Sequence, residues 1–210
     1  ASQSLIVMNA HAVNHGELPV LNRTDRDFFF LRRRDPEAVV QTIAQLCQTR
    51  LPKNMGIPAT EIQVLSPTRK GETGTKNLNL ALQAVLNPPA AGKKEKRYGD
   101  FSFREGDRVM QIRNNYDILW KNPNGLGAGT GIFNGDIGVI VQIDYETELV
   151  TVDFDDKRAE YSFDLLGELE PAYAMTIHKS QGSEYRAVIL SAFAGSPYLL
   201  TRSVLYTAIT

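Results

Sequence analysis

The sequence has almost no cysteine and no long apolar run. Its single cysteine, Cys47, cannot form an internal disulfide, and its three widely spaced histidines give no zinc-binding pattern. We therefore expect no metal site in this chain, and the cysteine usage favours a reducing cytoplasmic location. No apolar stretch approaches the roughly 20 residues that cross a bilayer, so no membrane partner is expected.

Net charge is also nearly absent. The 210 residues carry a formal charge of −1, which argues against a broad basic surface for nucleic acid but leaves room for a local basic groove. The chain is 42% hydrophobic and 22% charged, as is usual for globular proteins. This length is enough for one sizeable domain, with or without a small insertion.

A phosphate-binding loop is missing too. No Gly-x-x-x-x-Gly-Lys-Ser/Thr pattern occurs, and no Asp-Glu pair follows a clear apolar strand. We therefore expect that this chain cannot by itself enclose the phosphates of a nucleotide. A first residue of Ala1 and an abrupt end at Thr210 suggest a fragment of a longer protein.

A compact polar segment lies between two apolar runs near the end of the chain. Residues 172–175 and 187–190 are mainly apolar, and the segment between them contains Thr176, His178, Lys179, Ser180, Gln181, Gly182, Ser183 and Glu184. This order predicts a buried strand, a short helix or turn capped by the threonine and ended by the glycine, and a second buried strand. Ligands of open α/β sheets bind at such strand ends, although a solvated loop explains the composition equally well.

A second polar turn follows another predicted strand. Residues 61–65 alternate as a strand, 66–71 form a turn that contains Arg69, and 75–87 have the apolar spacing of a helix. The turn therefore also lies at the carboxyl end of a strand. An arginine here is either a plain surface residue or a cation suited to a phosphate from a neighbouring domain.

The first fifty residues predict three further elements. A helix is expected near residues 5–13, a buried strand at 28–31 and a core-facing helix over 36–50 that begins at Asp35-Pro36-Glu37. The arginines at 32–34 are interpreted as a solvated turn, with contact to a phosphate backbone as the alternative.

The middle of the chain has the pattern of a small antiparallel barrel. Short alternating runs at 108–113, 137–143, 149–154 and 158–163 are separated by turn residues. The charged stretch 92–97 is interpreted as a flexible linker, and the Gly-rich stretch 117–132 as a disordered or contact loop. Trp120 in that loop either stacks on a base or covers the barrel.

Three stretches resemble the motifs of one helicase family. Thr-Ile-His-Lys-Ser-Gln-Gly-Ser-Glu-Tyr at 176–185 resembles motif V of superfamily 1 DNA helicases, in the variant of the RecD/TraA branch that includes the alpha subunit of exodeoxyribonuclease V. Residues 64–71 with Leu78-Asn79 resemble motif IV, and 205–210 resemble the start of motif VI. The three follow the family's order over nearly the whole chain.

The resemblance implies a fold. It implies an α/β, RecA-like parallel-sheet domain, the second of two motor domains, with an SH3-like β-barrel inserted. The expected segments are 1–107 and 168–210 for the RecA-like domain, truncated in motif VI, and 108–167 for the barrel. A last helix with Leu200, Val204, Leu205 and Ala208 on its inner face would close the domain.

The resemblance also implies residue roles. Arg69 would reach the γ-phosphate of ATP as the catalytic cation, and Gly182 and Glu184 would meet the nucleotide. Single-stranded DNA would be contacted by Thr176, His178, Lys179, Asn114 and Trp120. ATP and Mg²⁺ would be held mainly by a first motor domain absent from this chain, so no cofactor and no ATP turnover are expected of the chain alone.

The implied function is that of the second motor domain of an ATP-dependent, 5′–3′ DNA helicase in recombination and repair. Its expected partners are single-stranded DNA, the first RecA-like domain of the same polypeptide and subunits of a RecBCD-like complex. Two alternatives stay open at this point. One is a non-catalytic DNA-binding or protein-docking module built on the barrel, and the other is the helicase part of a conjugative relaxase.

Overall fold

A computed structural model describes residues 4–23 and 25–192. The described residues form two compact units: one consists of the chain up to Leu78 together with the chain from Ala174, and the other of Asn79–Tyr173. The predicted helix around Leu205 and the motif VI resemblance at 205–210 lie outside the described residues.

The described residues contain four α-helices and twelve strands. The helices are α1 (Leu5–Asn14), α2 (Pro36–Gln45), α3 (Leu51–Met55) and α4 (Thr75–Leu86). The strands are β1 (Ile62–Ser66), β2 (Glu95–Tyr98), β3 (Phe101–Arg104), β4 (Arg108–Gln111), β5 (Asn115–Lys121), β6 (Ala128–Ile132), β7 (Ile137–Asp144), β8 (Leu149–Phe154), β9 (Lys157–Ser162), β10 (Leu169–Pro171), β11 (Ala174–Thr176) and β12 (Ala187–Leu190).

The first two helices begin where the sequence predicts. Asp35 accepts a hydrogen bond from the backbone nitrogen of Ala38 at 2.9 Å, and Pro36 occupies the first turn of α2. Ser4 caps α1, and Asp27 accepts a second bond there, from the backbone nitrogen of Leu5 at 2.8 Å. These side chains satisfy amide groups that have no partner within the helix.

The helix predicted over 36–50 continues further than expected. After α2 the chain passes through a π-helical turn, Leu46–Arg50, and then enters α3. Pro52 has no backbone N–H to give to the preceding turn, which is a physical reason for the irregular hydrogen bonding. Gly56, at a φ of +65°, ends the helix in the left-handed conformation that glycine adopts readily.

A three-stranded parallel sheet, ordered β11-β1-β12, forms the centre of the first unit. Val64 pairs with Ala174 on one side and with Ile189 on the other. All five residues of β1 are buried, as is typical of a parallel strand covered on both faces. The predicted order of strand, short turn and strand over 172–190 is thereby confirmed. The expectation that the second strand is buried is wrong, because β12 is half-buried and its Val188 is exposed.

The second unit contains a seven-stranded antiparallel sheet, ordered β10-β4-β7-β8-β9-β5-β6, and a separate hairpin of β2 and β3. In β8 and β9, buried residues alternate with half-buried or exposed ones, so that one face carries an apolar core. The fully buried members of this core are Val109, Ile132, Ile140, Ile143, Val150, Val152, Tyr161 and Leu166. The four predicted strands of the barrel are confirmed to within two residues.

Three predictions about local structure are wrong. Residues 28–31 form no strand, and Phe29 and Phe30 are about half exposed, at 48% and 46%. A four-residue apolar run has no period to show whether its side chains are buried.

The second correction concerns the charged stretch 92–97. It is not a plain linker, because β2 pairs with β3 and Glu95 bonds to Arg104 across the hairpin at 2.6 Å.

The third correction concerns the Gly-rich stretch 117–132, which is largely a hairpin of β5 and β6. Trp120 lies opposite Gly129, and a Cβ atom added at Gly129 would come within 2.6 Å of the tryptophan ring. The glycine therefore makes room for the ring across the strand pair. A composition typical of loops was the wrong indicator here, because it hid this pairing of a small residue with a large one.

The domain boundaries 1–107, 108–167 and 168–210 stay a prediction. The compact unit Asn79–Tyr173 contains the predicted barrel and extends beyond it on both sides. Among the described residues, no helix is long and apolar enough to cross a membrane.

Candidate functional site

Two polar segments follow neighbouring strands of the parallel sheet. Strands β1 and β11 run in the same direction, with Ser66 paired to Thr176 at their carboxyl ends. The chain continues from Ser66 into the loop that holds Arg69, and from Thr176 into the turn that holds His178. The sheet therefore brings together the two motifs that the sequence singled out, at the edge where open α/β sheets bind ligands.

The first segment, residues 66–75, is called the Arg69 loop below. Thr75 donates its backbone N–H to the carbonyl of Thr68 at 3.0 Å, and Lys76 donates to the carbonyl of Arg69 at 3.2 Å. Gly74 donates in the same way to Gly71 at 3.1 Å. These bonds tie the loop to the start of α4 and use amide groups that would otherwise be available to an anion.

Arg69 itself is exposed, as are its neighbours Lys70 and Gly71. Because several backbone amides of the loop already donate within it, a phosphate at this edge would be met by side-chain cations. A guanidinium has five donors in a planar fork that matches phosphate oxygens. The absence of a phosphate-binding loop from the sequence agrees with this arrangement.

The second segment, residues 176–184, is called the Thr176 turn below. It consists of a short 3₁₀ helix, Ile177–Ser180, followed by Gly182 at a φ of +82°. Ile177 is buried, and Ser180 donates its hydroxyl to the carbonyl of Ile177 at 2.7 Å. A Cβ atom at Gly182 would meet nothing within 4 Å, so glycine is required here by its backbone conformation and not by space.

The polar side chains of the Thr176 turn divide into two groups. Ser180 is buried and bonded to the turn itself, whereas His178 and Glu184 are exposed. Thr176 is half-buried and begins the 3₁₀ helix without capping it through its hydroxyl. Within the described part of the chain, no hydrogen bond joins the side chains of Thr176, His178 or Glu184 to another residue.

Lys179 differs from these residues because its side chain is half-buried and makes an interaction within the protein. Next to the turn, Tyr185 lies with its hydroxyl 3.9 Å from the sulfur of Met175, and Arg186 bonds to Glu61 at 2.9 Å. Both partners of the Arg186 ion pair are about half exposed, so it contributes little to stability.

The other two predicted DNA contacts, Asn114 and Trp120, lie in the second unit. Asn114 is exposed, and its side-chain oxygen accepts the backbone N–H of Asn134 at 3.0 Å. The ring of Trp120 packs against the apolar core, and the Lys157 ammonium lies 5.2 Å from its centroid. Of the two possibilities that the sequence left open, covering the barrel is therefore what the structure shows, and a DNA contact by Trp120 stays a prediction.

Sequence reasoning missed a buried carboxylate in the second unit. Asp107 is fully buried and accepts four hydrogen bonds of 2.7–2.8 Å, from the side chains of Asn87, Gln83 and Tyr173 and the backbone nitrogen of Arg104. Burial raises the pKa of the Asp107 carboxyl, and the hydrogen bonds from Asn87 and Tyr173 oppose that rise. Four donors around one carboxylate indicate a structural hub.

Burial and the neighbouring carboxylate likewise raise the pKa of the Tyr173 hydroxyl. The sequence gives only a weak signal for this buried carboxylate, because Gly106-Asp107 has the composition of an ordinary turn. Within residues 4–23 and 25–192, no group of three His, Cys, Asp or Glu side chains is arranged to hold a metal ion.

Two family models match parts of the chain. Residues 78–154 match the model of the ATP-dependent RecD-like DNA helicase SH3 domain, and residues 171–210 match the UvrD-like helicase C-terminal domain. Over all 210 residues the chain is 31% identical to the ATP-dependent RecD2 DNA helicase of Deinococcus radiodurans. The chain is therefore similar to RecD-like helicases in both of these stretches.

A second curated relative agrees. The RecD-like chain is 37% identical to the RecBCD enzyme subunit RecD of Mycobacterium tuberculosis over 155 residues, which is 71% of this chain and 23% of that protein. It covers 26% of the Deinococcus protein. The chain therefore spans about a quarter of the length of these curated relatives.

Solved structures show the fold. The Bacteroides Pif1 helicase in complex with ADP-AlF3 and ssDNA is similar at a TM-score of 0.51 and 14% identity, over 99% of this chain and 46% of that one. A Pif1 structure concerned with unwinding at forked dsDNA gives a TM-score of 0.50 and 13% identity, over 100% and 45%. The predicted α/β, RecA-like fold with an SH3-like insertion is confirmed.

Proposed function

We propose that this RecD-like chain is the second motor domain of an ATP-dependent DNA helicase that acts in recombination and repair. The observation that supports it best is the shared carboxyl edge of β1 and β11, where Ser66 pairs with Thr176. There the Arg69 loop and the Thr176 turn present an exposed arginine and two exposed polar side chains, His178 and Glu184, that form no hydrogen bond to another described residue.

The residues at this edge fit a nucleotide in their chemistry. Arg69 offers a guanidinium for the γ-phosphate, and Glu184 offers a carboxylate that accepts hydrogen bonds from ribose hydroxyls. Gly182 lets the backbone approach a ligand closely, because it has no side chain in the way. ATP with Mg²⁺ would supply phosphoryl transfer, and the first RecA-like domain of the same polypeptide would hold most of it.

In this proposal Arg69 is the catalytic cation. It would place positive charge where negative charge develops on the phosphate, a contribution worth about 10³-fold or more in rate for arginines that act in this way. Thr176, His178 and Lys179 would contact the single-stranded DNA backbone, with Asn114 and Trp120 as further contacts. A hydroxyl, an imidazole and an ammonium bind phosphates without reading base sequence.

Closure of the two motor domains around the nucleotide would then move this surface along the strand. We propose 5′–3′ translocation, which unwinding assays on substrates with a single 5′ or 3′ tail would test. Subunits of a RecBCD-like complex are further proposed partners, because a relative bears the name of a RecBCD subunit.

The deciding experiment replaces Arg69 by alanine in the full-length protein. We expect ATP turnover to fall by about 10³-fold while the affinity for single-stranded DNA changes less than about twofold, because the arginine acts on the phosphate. Arg97→Ala is the matched control, since Arg97 is an exposed arginine of the β2–β3 hairpin. Its turnover should equal that of the unchanged protein.

Near-normal turnover of Arg69→Ala would refute the role of Arg69. If the 210-residue chain alone also bound single strands tightly and in a salt-dependent way, a DNA-binding module without motor function would be the better explanation. Fluorescence anisotropy across a salt series measures that binding.

A further inference from the structure

In addition to its backbone hydrogen bonds, the Arg69 loop is joined across its base by one side-chain hydroxyl. Ser66, the last residue of β1, is fully buried. Its Oγ donates to the carbonyl of Thr73 at 2.8 Å and accepts the backbone N–H of Thr68 at 3.3 Å. The outgoing and returning sides of the loop are therefore joined through one side chain, which places Arg69 between two fixed points.

The other side of the loop is held by close approach of backbone to backbone. A Cβ atom added at Gly74 would lie 2.3 Å from the carbonyl oxygen of Lys70 and 2.7 Å from the carbonyl carbon of Arg69. Real Cβ atoms do not come this close to backbone atoms, so any side chain at residue 74 would displace the backbone at Arg69 and Lys70, above all the carbonyl group of Lys70. Glycine is required here by space.

A second hydroxyl, that of Thr68, bonds to the backbone between these points. The Oγ1 of Thr68 accepts the backbone N–H of Lys70 at 3.3 Å, so the residues on both sides of Arg69 are bonded within the loop. The backbone at Arg69 thus has its conformation set before any ligand arrives. In catalysis such preorganisation matters, because a misplacement of about 1 Å can reduce a rate by about 10²-fold.

We propose that Ser66 and Gly74 are positioning residues for Arg69: the hydroxyl and the absent side chain fix the backbone from which the guanidinium reaches a phosphate. This rests on the proposed role of Arg69. Neither residue touches the nucleotide in this proposal, and both act through the arginine.

The test uses the full-length protein and a double-mutant cycle. Ser66→Ala removes the hydroxyl, and we expect kcat for ATP to fall about tenfold with KM changed less than about twofold, because the shifted arginine acts on the transition state. In the Arg69→Ala background the same substitution should lower kcat by less than about twofold further, since the group that it positions is gone.

Two serine variants serve as controls. Ser191→Ala removes a buried hydroxyl at the end of β12, on the other side of β1, where the oxygen bonds to no other described residue. It should leave kcat unchanged. Ser66→Thr keeps a hydroxyl at the base of the loop and should retain most of the activity that Ser66→Ala loses.

Gly74→Ala adds a Cβ atom that would displace the backbone at Arg69 and Lys70. It should lower kcat by about 10²-fold, again with little change in KM. Thermal unfolding of each variant shows whether it is folded, and if Ser66→Ala is not, Gly74→Ala with Ser66→Thr decides the question. The proposal is overturned if kcat is normal in both Ser66→Ala and Gly74→Ala, or if the Ser66→Ala effect persists in full without Arg69. Normal turnover in Arg69→Ala would instead overturn the proposed function.

Discussion

Two sets of polar side chains, one in each unit of the chain, have different surroundings. In the second unit, buried polar groups bond to one another: Tyr161 donates to Gln111 at 2.7 Å, and Gln111 donates to Glu168 at 2.9 Å. In the first unit, His178 and Glu184 follow the strands of the parallel sheet and are left exposed. The first set is thus structural, whereas the second set is exposed.

The difference follows from sheet topology. Antiparallel strands joined by hairpins, such as β7 and β8, keep their turns short and bond the polar residues of each turn locally. Asp144, for example, accepts the backbone N–H of Glu146 at 2.9 Å, and that bond lowers the pKa of its carboxyl. Parallel strands need longer crossover connections. The loops at their carboxyl ends therefore lie next to one another, and their polar residues are not needed to close a hairpin turn.

The largest effect should come from removing the hub of the second unit. Asp107→Ala leaves four buried donors without their acceptor, and we expect the free energy of unfolding to fall by about 3 kcal/mol or more. Urea unfolding of the chain measures it. Asp117→Ala is the matched control, because Asp117 is exposed on β5 and its loss should cost less than about 0.5 kcal/mol.

If the two aspartate variants were equally stable, Asp107 would not be a structural residue, and the contrast with the exposed residues His178 and Glu184 would be wrong. Loss of stability in Asp107→Ala alone would support it.

A smaller effect should appear in the pH dependence of stability. Burial raises the pKa of Asp107 above the value of about 3.9 that an aspartate has in unfolded chains. The contribution of this carboxyl is therefore fully present below the unfolded pKa and is lost as the pH rises through the folded pKa. Relative to Asp107→Asn, the unchanged chain should lose stability as the pH rises from about 4 and then level off.

Urea unfolding of both chains over that pH range tests the sign. A difference that grows in favour of the unchanged chain with rising pH would show that the hydrogen bonds outweigh burial and that the folded pKa is lowered.

The smallest effect on stability should come from the exposed residues of the Thr176 turn. His178→Ala removes an exposed imidazole that bonds to no other described residue, so the free energy of unfolding should change by less than about 0.5 kcal/mol. In the full-length protein, affinity for single-stranded DNA should fall a few-fold, as expected for the loss of one phosphate contact. Anisotropy at fixed salt measures it.

Ile177→Ala provides the contrast next to it in the chain. Ile177 is buried, so its truncation should destabilise the protein by about 2–5 kcal/mol. If His178→Ala destabilised the protein as strongly, the histidine would have a structural role and would not be free to contact DNA.

Much of the fold could be predicted because its signals are local. The capping of α2 by Asp35, the alternation of β8 and the apolar–polar–apolar order around Thr176 each lie within a few residues. Regular spacing dictates which face of such an element is buried. The motif resemblances added what spacing cannot provide, namely the family and the expected roles of Arg69 and Glu184.

The failures came where the deciding contact is distant or depends on shape. Gly129 belongs to a strand because its missing side chain accommodates Trp120 from the neighbouring strand. The charged composition of 92–97 predicts a linker, although Glu95 pairs with Arg104 of β3. Composition does not show which residue lies opposite, so it assigned both stretches to loops.

By itself, the sequence determined two parallel strands that are each followed by a polar segment, and four antiparallel strands of the second unit, β4, β7, β8 and β9, because each depends on residues close together in the chain. It also singled out the candidate site residues. Only the tertiary structure decided that Ser66 pairs with Thr176, that the Ser66 hydroxyl and Gly74 lie against the backbone of the Arg69 loop, and that Asp107 accepts hydrogen bonds from four donors. These are contacts between residues whose closeness is created by strand pairing and burial, and no pattern along the chain encodes a distance across it.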